Sequence, residues 1–141
     1  MASSFALDVS KWVEKAKGRA DEVVRRVAFD MGAQIVNKSP VDTGRFRGNW
    51  FMGVGVRPTV STEDTDKTGE KAIARMRLLG PQIFAGQVIY VTNNLPYAMR
   101  LELGPPVPWS KKAPQGMVRV TVENYPGVVE QAVAEAKGAK P

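Results

Sequence analysis

Asp42-Thr43-Gly44 is a triplet whose residue types match a known catalytic motif. In aspartic proteases two carboxylates lie about 3 Å apart and share one proton. A chain with a single such triplet would meet that need only as a symmetric dimer. Arg45 follows at once, and a neighbouring cation keeps a carboxylate ionised and opposes a shared proton. We therefore interpret the triplet as a turn, in which Asp42 caps the backbone through its side chain and Gly44 supplies a positive φ angle.

The composition excludes most other catalytic chemistries. The chain of 141 residues contains no histidine and no cysteine. Disulfides, thiolate nucleophiles, imidazole bases and the usual zinc ligands are therefore absent from it. The carboxylates are scattered along the sequence, and none has the spacing of a calcium-binding loop. The sequence predicts no enzymatic activity, no metal site and no cofactor.

Two arginines after the triplet are candidate partner-binding residues. Arg45 and Arg47 lie two positions apart, so on a predicted strand they share one face. Their guanidinium groups could bind a phosphate or a partner's carboxylate through two parallel hydrogen bonds. The alternative is a solvated strand face, with Phe46 turned toward the interior.

A second candidate surface lies in the proline-rich segment 104–114, which is expected to be an extended, rigid loop. Trp109 stands among prolines there, and Lys111 and Lys112 follow it. An aromatic side chain on a pre-organised loop loses little entropy on docking, which is typical of a contact with a protein or a nucleic acid backbone. The alternative is that Trp109 folds back onto the protein's own core.

The net charge of +6 and the pI near 9.8 favour a polyanionic neighbour, either nucleic acid or an acidic protein surface. The alternative is a solvated basic surface, because the cations are dispersed along the chain. A nucleic-acid-binding module would use Arg45, Arg47, Arg75, Arg77, Lys111 and Lys112.

A long amphipathic helix is predicted over residues 8–38. Apolar residues recur there at steps of three and four, with charged residues between them. Asp8 or Ser10 could cap its start, and Pro40 ends it because the residue before a proline avoids the helical region. The stripe consists of Val9, Trp12, Val13, Ala16, Ala20, Val23, Val27, Met31 and Ile35.

The rest of the sequence predicts a single α+β domain over residues 1–141, with a small sheet and long loops. Strands are expected at 46–56 and 87–92, where β-branched and aromatic residues cluster. Short helices are expected at 71–79, 97–103 and 128–137. The remaining predictions are an exposed loop at 57–70, a turn at Asn93-Asn94, and a frayed tail at 138–141. Residues 116–122 fit either a strand or a helix.

The sequence gives no sign of a membrane protein. No apolar run approaches the roughly 20 residues needed to span a bilayer, and the N-terminus lacks the pattern of a signal peptide. We expect a protein that stays in the cytoplasm or in a particle assembled there.

Three segments occur in an order that resembles a known family. Residues 39–50 follow the long helix, residues 89–98 lead into Leu101-Glu102-Leu103-Gly104, and residues 112–122 precede a terminal helix. The order is similar to that of the tail-completion or neck proteins of long-tailed bacteriophages, the group that includes the minor tail protein Z of lambda-like phages. The resemblance extends from about Val9 to Ala136.

The resemblance implies an α+β fold with a long N-terminal helix on a small, mostly antiparallel sheet and a C-terminal helix. It implies a virion structural protein without catalytic residues, which acts as an oligomeric ring at the tail or neck. Its expected partners are copies of itself and connector, terminator or tail-tube proteins, with possible contact to genome DNA. Loops 57–70 and 104–114 would reach neighbouring subunits. The resemblance also favours a helix at 116–122, with Pro126 as a kink or break.

Overall fold

The fold is α+β: a long N-terminal helix lies against a two-stranded antiparallel sheet and several shorter helices. A computed structural model describes residues 2–103 and 116–138, with side chains over 19–103 and 116–137. The helices and strands in chain order are α1 (Ala2–Lys38), α2 (Arg45–Gly48), β1 (Trp50–Val54), α3 (Glu70–Arg77), β2 (Ile89–Asn93), α4 (Ala98–Leu103), α5 (Val118–Glu123) and α6 (Tyr125–Gly138), and a short 3₁₀ helix (Gly80–Gln82) lies between α3 and β2.

Helix α1 is longer than the sequence pattern predicts. It begins at Ala2, so Asp8 and Ser10 lie inside the helix and the predicted caps are wrong. Residues 2–7 contain neither proline nor glycine, and nothing in them stops the helix from extending toward the N-terminus. Its end is as predicted: Lys38 is the last helical residue, two positions before Pro40.

The predicted strand at 46–56 is wrong in its first part. Residues Arg45–Gly48 form the single helical turn α2, and β1 begins only at Trp50. The turn closes when Gly48 N donates to Gly44 O at 3.0 Å and Asn49 N donates to Phe46 O at 3.0 Å. A helical turn rather than a strand forms here because Gly44, at φ 91°, redirects the chain before Arg45.

The sheet pairs β1 with β2 without a bulge. The register places Trp50 opposite Asn93, Met52 opposite Val91 and Val54 opposite Ile89. The strand predicted at 87–92 is confirmed, with a shift of one or two residues at its ends.

The segment 57–69 contains no helix or strand and is mostly exposed, as predicted for the loop at 57–70, but hydrogen bonds attach it to the rest of the protein. Asp66 is buried, and Thr62 N donates to the Asn49 Oδ1 atom at 2.8 Å. The Asn49 amide nitrogen in turn donates to Thr62 O at 3.0 Å. The exposed-loop prediction is therefore confirmed for most of the segment, and the exceptions are the buried residues Asp66 and Gly69.

The short helices agree with the sequence pattern. Helices α3, α4 and α6 confirm the predictions at 71–79, 97–103 and 128–137. Residues 118–123 are helical, so the helical alternative for 116–122 is the correct one. Asn124 interrupts the helical structure between α5 and α6, and Pro126 lies in the first turn of α6. The predicted loop at 104–114, and the tail beyond Gly138, lie outside the described residues.

The core lies between α1, the sheet and α3. Buried apolar side chains from these elements and their connections form one cluster. Its buried members are Ala28, Ile35, Val36, Phe46, Trp50, Met52, Ala72, Met76, Ile83, Leu95 and Met117. Helix α6 lies against α1 and buries Val128, Ala132 and Ala136. None of the helices over the described residues is both long and apolar enough to cross a membrane.

Candidate functional site

The Asp42-Thr43-Gly44 triplet lies in a tight joint between α1 and β1, which we call the corner (residues 39–50). Gly44 is buried, has φ 91°, and accepts a hydrogen bond from Asp66 N at 3.0 Å through its carbonyl oxygen. A Cβ atom at this position would lie 2.6 Å from Lys67 N and 2.8 Å from Asp66 N. Both the backbone angle and the close approach of segment 66–67 therefore require glycine here.

The remaining residues of the triplet face solvent. Asp42 and Thr43 are exposed, and Thr43 Oγ1 accepts the Arg45 N–H at 3.2 Å. The Asp42 side chain makes no hydrogen bond with any of residues 19–103 or 116–137, whose side chains the structure describes. The capping role that we assigned to Asp42 is therefore wrong, because Thr43 makes that contact. The positive φ angle predicted for Gly44 is confirmed.

Arg47 is a buried structural residue rather than part of a strand face. Its Nη1 atom donates to Lys67 O at 3.0 Å, and its Nη2 atom donates to Asn37 O at 3.2 Å and to Ser39 O at 2.6 Å. The last carbonyl groups of a helix have no partner within it, and the negative end of the helix dipole favours a cation there. Arg47 therefore caps α1 and ties its end to segment 66–67.

Arg45 points away from Arg47 and is only half-buried. Its Nη2 atom lies 3.0 Å from Glu63 Oε1, and the Glu63 side chain is 88% exposed. The predicted shared face of Arg45 and Arg47 does not exist, because the helical turn α2 directs the two side chains to different surroundings. Phe46 is turned inward, as one of the alternatives required.

A buried polar chain links the end of α1 to the start of β1. Ser39 Oγ donates to Ile35 O at 2.8 Å and accepts the Trp50 Nε1–H at 2.7 Å. The Trp50 and Phe46 rings pack edge to face with their centroids 5.8 Å apart. Pro40, next to Ser39, prevents α1 from continuing. Aromatic packing and a satisfied indole N–H together fix the angle between helix and strand.

Sequence reasoning missed the roles of Asp66 and Arg75. Asp66 is buried and accepts Gly69 N at 3.1 Å and Ala72 N at 2.9 Å, so it caps α3. Arg75 Nη2 donates to Gly48 O at 2.6 Å and to Trp50 O at 3.0 Å, and its guanidinium carbon lies 4.1 Å from the Phe51 ring centroid. Burial lowers the pKa of Arg75, against the opposing charges of Asp66 and Asp64. The spacing of Asp66 before Gly69-Glu70 was the signal available for the cap.

The turn predicted at Asn93-Asn94 lies later in the chain: Asn93 is the last residue of β2, and the turn is at Pro96-Tyr97. The side chains of Asn93 and Asn94 instead hold the corner and the 57–69 segment. Asn93 Nδ2 donates to Phe46 O at 2.9 Å, and Asn93 Oδ1 accepts Leu95 N at 3.2 Å. Asn94 Nδ2 donates to Pro58 O at 3.1 Å and to Val60 O at 3.0 Å. Both amides are thus used in internal contacts.

A second joint, also missed from the sequence, lies between α4 and α5. Glu102 accepts Met117 N at 2.6 Å, Val118 N at 3.0 Å and Arg119 N at 2.8 Å through its two carboxylate oxygens. Burial raises the pKa of Glu102, but the three backbone hydrogen bonds and the Arg119 charge outweigh it, so that the pKa lies below its ordinary value. Gly116, at φ 86°, packs directly on this carboxylate. We call this joint the Glu102 clamp.

An apolar groove opens beside the sheet, between α1, β2, α5 and α6. Its volume is about 520 Å³. The lining contains no charged side chain, and its polar members are Gln87 and Tyr125. The lining residues are Val23, Val24, Val27, Ala28, Met31, Ile35, Gln87, Ile89, Val91, Val118, Tyr125 and Val129.

These sites differ in what they can do. The corner uses its buried charges to hold backbone groups, so it acts as a scaffold, whereas the groove presents apolar surface to a ligand or partner. Of the other predicted contact residues, Trp109, Lys111 and Lys112 lie outside the described residues. Over the described side chains, no group of three or more acidic residues is arranged to hold a metal ion.

Comparisons with known proteins identified no relative of this chain. A scan of protein-family models, a search of curated proteins and a search of solved structures each found no match to this chain.

Proposed function

We propose that this protein is a structural component of the tail or neck of a long-tailed bacteriophage. Copies would assemble as a ring that completes the tail and helps to join it to the head–tail connector. Its neighbours would be further copies of itself and connector, terminator or tail-tube proteins. It would be assembled into the virion in the host cytoplasm. The observation that carries this proposal is the order of the three segments 39–50, 89–98 and 112–122 around the helices.

The roles of the resembling residues support the proposal. The contacts in segment 39–50 depend on the residue types. Any larger residue would clash at Gly44. The side chains of Ser39, Arg47 and Trp50 make hydrogen bonds that other side chains would not make. In segment 89–98, Asn93 binds the corner. We infer that a likeness at such positions would come from a shared architecture, because the contacts of these residues hold groups of the fold together.

The apolar groove is a second support. Monomeric soluble proteins rarely expose large contiguous apolar patches, and those that do commonly bind other proteins or membranes there. A groove of about 520 Å³ lined by valine, isoleucine and methionine therefore suits a protein that works in an assembly.

Cryo-electron microscopy of the intact particle tests this proposal. We expect density for the chain at symmetric positions at the neck or the top of the tail. A phage that lacks the gene should yield heads and tails that fail to join, and the wild-type gene supplied in trans should restore joining. A particle without the chain, or with copies at scattered positions, would contradict the proposal.

Nucleic acid binding remains the alternative, favoured by the net charge of +6. Two of its six cations, Arg47 and Arg75, donate to backbone carbonyls within the protein. Nucleic acid binding would then depend on the other four cations, Arg45, Arg77, Lys111 and Lys112. Its affinity for duplex DNA should fall steeply as salt rises from about 50 to 200 mM. A flat salt response, or no binding at the lower concentration, would exclude it.

A further inference from the structure

The outer edge of β2 presents backbone groups that have no partner in the described part of the chain. Gly55 N donates to Val88 O at 2.8 Å, which identifies residues 55 and 88 as a hydrogen-bonded pair. In an antiparallel ladder such pairs alternate with pairs whose N–H and C=O groups point away from the partner strand. In this register Ile89 and Val91, opposite Val54 and Met52, therefore point their backbone groups outward. None of the hydrogen bonds between described residues involves those groups.

The outer edge of β1 differs, because α3 covers it. The Trp50 carbonyl oxygen points away from β2 and accepts a hydrogen bond from Arg75 at 3.0 Å. Among the residues that the structure describes, the sheet thus has one covered edge and one edge without a partner, which we call the open edge.

The open edge lacks the features that normally protect an edge strand. Natural proteins block such edges with charged side chains, prolines or bulges. Strand β2 contains none of these, and residues 80–99, which follow the end of α3, include no charged residue at all. In a chain with 24% charged residues, this neutral stretch is a distinct feature of the β2 surface.

The open edge also borders the apolar groove. The side chains of Ile89 and Val91 line it, and the neighbouring side chains of Val88 and Val122 are 61% and 55% exposed. A strand added at the edge would satisfy the free backbone groups, and its side chains would cover the apolar face. The lining without charge favours an apolar peptide over a polyanion.

We propose that β2 pairs antiparallel with β2 of a second copy, so that two chains share one four-stranded sheet. In this pairing a two-fold axis passes between the two Val91 residues. The outward N–H and C=O groups of Val91 then face those of the partner's Val91. The outward groups of Ile89 face those of the partner's Asn93. Chains of net charge +6 repel each other, and the neutral stretch is a surface where two of them can meet. Strand β1 is not the partner because Arg75 occupies its edge. The pairing is a property of the free chain, and it is independent of the role in the tail.

Light scattering coupled to size-exclusion chromatography tests this pairing, over concentrations from about 1 to 100 µM. We expect the mass to rise to twice 15.4 kDa. Val88→Lys places a charge at the edge, and Val91→Pro removes an outward N–H group without loss of a β1–β2 hydrogen bond. Each should weaken dimerisation by about tenfold or more. The matched control is Leu78→Lys, because Leu78 is 78% exposed at the end of α3 and away from the groove.

Hydrogen exchange on the wild-type chain supplies a second readout that needs no variant. The amides of Ile89 and Val91 should exchange more slowly as the concentration rises, while the paired amides of Tyr90 and Thr92 stay protected throughout. The proposal is overturned by a monomer at the highest concentration, by a dimer that survives both edge variants, or by an equal loss in Leu78→Lys. It is also overturned if Ile89 and Val91 are protected at every concentration, since the chain itself would then cover the edge.

Discussion

At the scale of single residues, Gly44 is constrained both by its backbone angle and by the backbone that packs against it. In Gly44→Ala the new Cβ would lie 2.6 Å from Lys67 N, and the residue would have to keep φ 91°. The left-handed angle alone costs an L-residue about 1–2 kcal/mol. The steric conflict should raise the loss in unfolding free energy to about 3 kcal/mol or more, as measured by urea denaturation.

Gly86→Ala is the matched control for this substitution. Gly86 has the same φ of 91°, but no atom of the described residues beyond its chain neighbours lies within 4 Å of the position that a Cβ atom would take. The unfolding free energy of Gly86→Ala should fall by only about 1–2 kcal/mol, which is the cost of the left-handed angle. Equal losses in the two variants would show that the contact between Gly44 and segment 66–67 contributes nothing.

Arg45 and Arg47 provide a second comparison between neighbouring residues. Arg47→Ala leaves three backbone carbonyl oxygens without their donor, two of them at the end of α1. The bond to Ser39 O is buried and the other two are partly buried. An unsatisfied buried group costs about 1–3 kcal/mol, so we expect a loss of about 2–4 kcal/mol in unfolding free energy.

Arg45→Ala removes only an exposed ion pair with Glu63 and should cost less than about 1 kcal/mol. Chemical denaturation of both variants makes the comparison. If Arg45→Ala were the more damaging change, the structural role assigned to Arg47 would be wrong.

At the scale of elements, the Glu102 clamp makes the junction of α4 and α5 sensitive to pH. The folded pKa of Glu102 lies below its ordinary value of 4.5, so its stabilisation is present above that pH and is lost as the pH falls below it. Glu102→Gln should lower the unfolding free energy by about 1–3 kcal/mol at pH 7. The wild-type and variant values should converge as the pH falls from 4.5 toward the lower folded pKa.

Glu63→Gln is the control for the clamp, since Glu63 is 88% exposed and lies in the 57–69 segment. It should change the unfolding free energy by less than about 0.5 kcal/mol. Thermal or urea unfolding at several pH values gives both curves. A difference between wild type and Glu102→Gln that persists unchanged at acid pH would contradict the ionised clamp.

Local sequence signals predicted the elements far better than the joints between them. The end of α1 at Pro40 and the strand β2 follow from neighbouring residues alone. The turn α2 does not follow from neighbouring residues alone, because the angle of Gly44 that redirects the chain is held by the backbone of Asp66 and Lys67, more than twenty positions away. The burial of Arg47 depends on carbonyl groups of α1 and segment 66–67, which no sequence period reveals. The corner could be located from the sequence, but its contacts could not.

At the scale of the whole molecule, α6 is an outer layer that lies on α1. It buries Val128, Ala132 and Ala136, and Glu135 contacts Arg26 at 2.7 Å. Loss of these apolar contacts should cost about 3 kcal/mol. A chain that ends at Asn124 should therefore melt roughly 10 °C below the full chain in a circular dichroism scan.

A chain that ends at Lys137 is the matched control, because it keeps every buried residue of α6. It should melt within about 2 °C of the full chain. If both truncated chains melted alike, α6 would not contribute to the stability of the fold.

The Glu102 clamp has a practical consequence for protein engineering. It fastens Glu102, just before Leu103, to the first turn of α5 by hydrogen bonds that use no atom of residues 104–115. Exchange of residues 104–115 for a foreign peptide of similar length, for example an epitope, would therefore keep every donor and acceptor of the clamp in the chain.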